Sequence, residues 1–334
     1  VTLVLGAEAV GRIVREVDAI AAVEAVLADL GSGTMVQPAP VTLGGADDSL
    51  FLPMAVRSDR LGLAAVKLMA DIPANADRGL PTQRSTILVS SVTTGECVAV
   101  LDGALITRIR TAATSAVATR YLARSDSTVL GLVGAGNLAV EHVRAVTAVL
   151  PIEQVVVWSR SSATVDRFRD QVGQEHEVVV ADDPHEVVDR SDVLCTLTPS
   201  IDPVVHGAWL RRGQHVNAVG ARPRPTHREL DARAMGRGTL VVDSAATARA
   251  KSGDLVLAMA EGGLRQNAHL VELGEVVAGV APGRSSRDEI TVFDSVGLAA
   301  QDLAVAAAVI DLAGRHGVGD DVLLSAAPSL VASA

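Results

Sequence analysis

The stretch that most constrains this chain is Gly131-Leu-Val-Gly134-Ala-Gly136-Asn137-Leu138-Ala139. An apolar run, Thr128 to Val133, leads into it and a helical pattern leaves it. Gly134, Gly136 and Ala139 therefore read as Gly-x-Gly-x-x-Ala at a strand-to-helix turn. Glycines there permit a tight turn and a close approach of backbone to a pyrophosphate, while the unpaired N–H groups and dipole of the following helix favour an anion. Gly134, Gly136, Asn137 and Leu138 are thus expected to cradle a dinucleotide. The motif alone is a weak signal, because any tightly packed strand-to-helix turn can produce it.

The residues downstream strengthen that signal. Gln154 to Trp158, Val178 to Ala181, Asp192 to Leu197, His215 to Val219 and Thr239 to Val242 are short apolar runs separated by helical or loop stretches. That alternation, ending near Val292, predicts a parallel sheet covered by helices on both faces. About twenty residues past the glycine turn, an NAD site usually carries an Asp or Glu for the ribose 2'-hydroxyl. Here the sequence is Val157-Trp158-Ser159-Arg160-Ser161-Ser162. With no carboxylate to repel a 2'-phosphate, and with Ser159, Arg160 and Ser161 able to bind one, NADP(H) is favoured and NAD(H) remains possible. Thr198 ends another strand, where open parallel sheets place ligands, and is expected to line the same crevice.

The amino-terminal part has a different grammar. Glu8 to Leu30 repeats apolar residues near the helical period and predicts one amphipathic helix ending at Gly31-Ser-Gly33. Leu50 to Val56, Leu61 to Leu68, Ser85 to Ser91 and Glu96 to Leu101 predict a mixed or antiparallel sheet, with a hairpin turn at Thr93-Thr94-Gly95. Thr107 to Arg124 predicts a helix, and Ser125-Asp126-Ser127 marks a domain boundary. From Gly297 to Gly314 an Ala-rich helix is apolar on nearly every side and is expected to be buried, in the core or between subunits. The fold class expected is α/β: a Rossmann-type doubly wound domain over residues 125–295, plus a second α+β domain for substrate binding and dimerisation from residues 1–124 and 296–334.

Composition narrows the function. Of the 334 residues, 49% are hydrophobic and 20% charged, which excludes intrinsic disorder. A net charge of -10 with only 2% aromatic residues supplies neither the field nor the stacking platforms for nucleic acid, so none is expected as a partner. No run approaches the roughly 20 apolar residues of a membrane span, and Val1 to Gly6 lacks the basic start of a secretory signal; the expected location is the cytoplasm, with no membrane partner. Cys97 and Cys195 read as small buried hydrophobes. His142, His206, His215, His227 and His269 have no metal-ligand spacing, and no metal is expected.

Across nearly its whole length the chain is similar to the ornithine cyclodeaminase/mu-crystallin family. The resemblance is carried by Val66-Lys67, Arg78-Gly79-Leu80-Pro81-Thr82, Leu101-Asp102-Gly103, Arg110-Thr111-Ala112-Ala113, the Gly134 turn, Asn217-Ala218-Val219-Gly220-Ala221, Arg228-Glu229-Leu230-Asp231, Val242-Asp243-Ser244, Glu272-Leu273-Gly274-Glu275-Val276 and Ser295-Val296-Gly297 with Asp302. It implies a homodimer and hydride transfer between nicotinamide and the alpha carbon of an amino acid or its imine. The family holds amino-acid dehydrogenases, ketimine reductases and the redox-neutral cyclodeaminases.

By that resemblance Lys67, Thr82 and Arg110 are the substrate-pocket residues. Arg110 can grip a carboxylate bidentately. Lys67, on an otherwise apolar strand, suits proton transfer at an amine or imine if burial lowers its pKa. Thr82 reads equally as a turn residue or a hydrogen-bond donor to substrate. Asn217, Val219 and Ser295 are implied to face the cofactor cleft, although Ser295 also reads as an ordinary helix cap.

Two departures bear on the substrate. Met35 to Thr42 has no arginine where members usually carry a second carboxylate-binding one, leaving Arg57 or Arg84 as replacements or as surface charges. The turn Gly220 to His227 lacks the aspartate implicated in ornithine cyclodeamination and carries Arg222 and Arg224 instead, which meet an acidic substrate or form a solvated basic loop. The reading expected is therefore an oxidoreductase acting on a small carboxylate-bearing imine or amine. A cyclodeaminase-type ammonia lyase and a non-catalytic NADP-binding protein stand as alternatives.

Overall fold

The computed structural model describes residues 1–45 and 48–324. Its contacts divide the chain into two units, the first comprising Val1–Ala22, Thr34–Thr107 and the chain from Ala299 on, the second Val23–Gly33 and Arg108–Leu298. The chain crosses between them inside the helix Ala104–Leu122, so the composition break at Ser125 lies within the second unit.

In the first unit, β1 (Thr2–Leu5), β2 (Met35–Val36), β3 (Leu43–Gly44), β4 (Leu50–Ser58), β5 (Leu63–Asp71), β6 (Gln83–Ser91) and β7 (Cys97–Asp102) join the strand Asp320–Val322 in one mixed sheet. Its centre, β4 to β7, is antiparallel, and β1 runs parallel to β7. Gly95 turns the β6–β7 hairpin at a φ of 74°, a conformation that favours glycine. Side chains alternate across the strands. Met54, Lys67 and Ile87 share the face covered by the helix Ala299–His316, which is buried along most of its length because alanines let it approach the sheet closely.

The single helix expected from Glu8 to Leu30 is two. Ala7–Ile13 ends in a short 3-10 turn, Val14–Glu16, and a new helix, Ala19–Gly31, begins after Asp18, whose carboxylate accepts the Ala21 N–H at 3.0 Å. The apolar period runs through this break, but the aspartate is a strong N-cap and restarts the helix.

In the second unit, β8 (Val129–Val133), β9 (Gln154–Trp158), β10 (Glu177–Val180), β11 (Val193–Thr196), β12 (His215–Ala218), β13 (Thr239–Val242), β14 (Val271–Glu272) and β15 (Thr291–Asp294) form a wholly parallel sheet in the order β10-β9-β8-β11-β12-β15-β13-β14. One apolar layer, with Val143 and Phe168, and another, with Val187 and Leu255, cover its two faces, which is why most of its strands read as continuous apolar runs. Strand order reverses between β8 and β11, the switch point at which such sheets open a ligand crevice. Among the described residues, no helix is long and apolar enough to cross a membrane.

Candidate active site

A crevice opens at that switch point. It is lined by Gly134, Ala135 and Gly136 after β8, by Trp158, Ser159 and Arg160 at the end of β9, and by Leu197, Thr198, Pro199, Ser200 and Val204 after β11. Gly134 has a φ of 113°, and a Cβ there would lie 2.8 Å from the Leu197 carbonyl oxygen, so only glycine fits. A Cβ on Gly136 would meet nothing within 4 Å, which leaves the backbone open to an incoming group. Gly136 is also the N-cap of the helix Asn137–Thr147 and supplies no side-chain cap, so the N–H groups of the first turn remain available to an anion. These residues fit a dinucleotide pyrophosphate.

The structure thus brings Gly134, Gly136, Ser159, Arg160 and Thr198 to one crevice. Asn137 and Leu138 form the first turn of the adjoining helix, Asn137 exposed and Leu138 half-buried. Ser161 is engaged as the N-cap of the next helix, its hydroxyl accepting the Thr164 N–H at 3.3 Å. Asn217 points into the interior: its amide donates to Thr119 Oγ1 at 3.0 Å and its Oδ1 lies 3.2 Å from His215 Nε2. Val219 uses its backbone N–H on the Thr196 carbonyl at 3.2 Å. The Thr198 hydroxyl turns away from the crevice to donate to Glu229 at 2.7 Å.

At the far end of the same sheet, Asp243 follows β13 and accepts the Ser295 hydroxyl at 3.3 Å and the Gly297 N–H at 2.6 Å. Burial pushes its carboxyl up to about 6, against the pull of the Gly297 and Val296 N–H groups and the Arg110 charge. Arg110 is buried beside this turn. A Cβ on Gly297, whose φ is 82°, would fall 2.8 Å from Arg110 Nη1, so the missing side chain makes room for the guanidinium.

In the first unit, Lys67 is 2% exposed, and its ammonium donates to Asp302 Oδ1 at 2.9 Å and to Thr107 Oγ1 at 2.7 Å. Asp302 is equally buried, on the helix that covers the sheet. Thr82 is half-buried just before β6, its carbonyl accepting the Ile72 N–H at 2.8 Å. Arg57 and Arg84 pair in register with Ala64 and Ala70, three residues either side of Lys67, and so project from the opposite face of the sheet. Neither replaces the missing arginine on the Lys67 face. Arg57 instead pairs with Asp59 at 2.9 Å. Arg222 and Arg224 are half-buried on the turn after β12.

Comparison with known proteins agrees with this geometry. The family model for the ornithine cyclodeaminase/mu-crystallin family matches residues 1–316. The chain belongs to that family. Alanine dehydrogenase of Archaeoglobus fulgidus is 34% identical over 321 residues, 96% of this chain and 98% of that one. The structure of Thermococcus litoralis Δ1-pyrroline-2-carboxylate reductase in complex with NADH and L-proline superposes with a TM-score of 0.89 at 33% identity, covering 96% of this chain and 100% of that one. An archaeal alanine dehydrogenase dimer with bound NAD gives a TM-score of 0.90 at 33% identity, covering 97% and 99%.

Among the residues described above, Asp243 and Glu229 are marked in the sequence only as members of short motifs, and Thr107 only as the start of a helical stretch. Thr107, Asp243 and Glu229 acquire their positions only through partners distant in the chain. Asp302 had a signal, a carboxylate in a helix apolar on nearly every side. Among the described residues, no cluster of His, Cys, Asp and Glu is arranged to hold a metal. Cys195 is buried and Cys97 half-buried, so only the first is the small buried hydrophobe expected of both.

Proposed function

We propose that this protein is an NAD(P)-dependent oxidoreductase acting on the C=N bond or alpha-amino group of a small carboxylate-bearing imino or amino acid. The observation that carries the reading is the Gly134 crevice at the switch point of a parallel sheet. Its similarity to an alanine dehydrogenase and to a pyrroline-carboxylate reductase solved with NADH and proline supports the substrate class.

A bound nicotinamide supplies or accepts the hydride. The remaining work belongs to side chains of this chain. Gly134, Gly136 and the first turn at Asn137 and Leu138 hold the pyrophosphate. Arg110 holds the substrate carboxylate, with Thr82 as a further hydrogen-bond donor, and Lys67 exchanges the proton at the substrate nitrogen. Arg160 and Ser159 meet the adenosine ribose and favour its 2'-phosphate, so NADP(H) is the preferred cofactor. Asn217, Val219 and Ser295 shape the cofactor side from behind, through their interior contacts.

The molecule acts as a homodimer. Phe51, Val66, Leu68 and Leu88 lie on the outer face of β4 to β6 and are all more than a third exposed, an apolar face whose exposure supports an interface there. The related archaeal alanine dehydrogenase is a dimer.

The test monitors NADPH absorbance against cyclic imino acids, and against 2-keto acids supplied with ammonia, methylamine or amino acids. Stoichiometric NADPH loss with one class is expected. No loss with any member, in a protein that still binds NADPH, would sink the imine-reductase reading and direct attention to ammonia release.

A further inference from the structure

We infer that Glu229 is a positioning residue for the cofactor crevice, tying Thr196, Thr198 and Gly220 together and so fixing the Leu197–Pro199 segment against the Gly134 turn. The inference rests on the dinucleotide-binding function proposed for that crevice. Glu229 is fully buried and does not line the crevice itself. Its Oε1 accepts the Thr198 N–H at 2.5 Å and the Thr198 hydroxyl at 2.7 Å. Its Oε2 accepts the Thr196 hydroxyl at 2.8 Å and the Gly220 N–H at 2.7 Å.

Four donors on one carboxylate match its full acceptor capacity. The segment they hold is confined on both sides. A Cβ on Gly220 would come within 2.2 Å of the Thr198 nitrogen, and one on Gly134 within 2.8 Å of the Leu197 carbonyl oxygen. The backbone that carries this carboxylate is itself anchored, because Asp254 Oδ1 accepts the Glu229 and Leu230 N–H groups at 2.9 and 2.7 Å. The crevice wall formed by Leu197, Thr198 and Pro199 is therefore set by a residue that does not line the crevice.

A carboxamide cannot repeat this, since its NH2 would face one of the two backbone N–H groups, a donor that cannot turn away as a hydroxyl can. Calorimetric titration of the full chain with NADPH is expected to show at least a tenfold weaker Kd for Glu229→Gln. The KM for NADPH should rise with it, while kcat at saturating NADPH stays within about threefold. A merely destabilising change would lower Tm without that split. A folded Glu229→Gln variant whose Kd lies within twofold of the parent would overturn the inference. If that variant does not fold, Thr196→Val removes one donor in an isosteric side chain outside the crevice. It is expected to weaken NADPH binding at least threefold, and unchanged affinity would overturn the inference equally. A parent chain that binds neither NADPH nor NADH fails the functional reading first and this inference with it.

Discussion

Lys67 and Asp302 stand 2.9 Å apart with side chains 2% and 1% exposed, a sealed ion pair joining residues 235 positions apart in the chain. Removing one member of such a pair leaves the other charge buried, at a cost of about 3–5 kcal/mol. Asp302→Asn should therefore lower stability by about 3 kcal/mol, read from urea denaturation. Lys67→Ala should abolish turnover and spare NADPH binding; unchanged turnover would remove Lys67 from the chemistry. The apolar double variant Lys67→Met with Asp302→Leu should recover stability without recovering activity.

Arg160 is exposed at the crevice rim with no carboxylate beside it in the β9 turn. NADPH should bind at least tenfold more tightly than NADH, and Arg160→Ala should close most of that gap by weakening NADPH alone. Equal affinities in the parent would defeat the NADP assignment.

Gly134→Ala adds a methyl 2.8 Å from the Leu197 carbonyl oxygen at a backbone angle that disfavours any side chain. Strain of this kind costs about 1–3 kcal/mol. Calorimetry should show cofactor binding lost before the fold is, with Tm lowered by a few degrees. Full affinity in this variant would show that the turn does not hold the pyrophosphate.

His142 is buried and neutral. Its Nδ1–H donates to the Leu138 carbonyl at 2.8 Å, its Nε2 faces the Ser115 hydroxyl at 2.9 Å, and burial pushes it down to about 4. The unfolded chain takes up this proton near pH 6.5 and the folded one does not. The associated stability, about 3 kcal/mol, is thus present above pH 6.5 and lost as pH falls toward 4. Asp243 acts with the opposite sign. Burial raises it to about 6, so its contribution is full below the ordinary carboxylate range and lost as pH rises through that value. Comparing the parent with His142→Gln isolates the first effect: urea midpoints should converge from pH 7.5 to pH 4.5, and parallel curves would contradict it.

Val66 and Leu88 face each other in register on the outer side of β5 and β6. Placing a charge there, as Val66→Asp or Leu88→Asp, should convert a dimer to a monomer in light scattering while leaving circular dichroism intact. A parent that is monomeric, or a variant that stays dimeric, would move the interface elsewhere.

The glycine turn and the alternation around it were legible because strand, turn and helix are adjacent in sequence, and each has a local signature. The start of the second helix was missed because Asp18 interrupts a period that continues unbroken on either side of it. Arg57 and Arg84 stood as candidates until the strand register put them on the face opposite Lys67. Parity along one strand is readable, but parity between strands needs the pairing. Glu229 was visible only as one member of a short motif. Its meaning lies in donors from Thr196, Thr198 and Gly220, which the parallel crossovers bring together and no local pattern records.

The helix that covers Lys67 is made from residues the ribosome adds long after Lys67 itself. At about 5–20 residues per second, the 235 positions between Lys67 and Asp302 take roughly ten to fifty seconds to synthesise. Throughout that interval the amino-terminal sheet lacks the helix Ala299–His316, and Lys67 lacks Asp302. The second unit, by contrast, has all of its strands by Asp294. A nascent chain of this protein therefore completes the strands of its second unit before its first, and a chain cut short before Ala299 would carry the amino-terminal sheet without its long covering helix and Lys67 without Asp302.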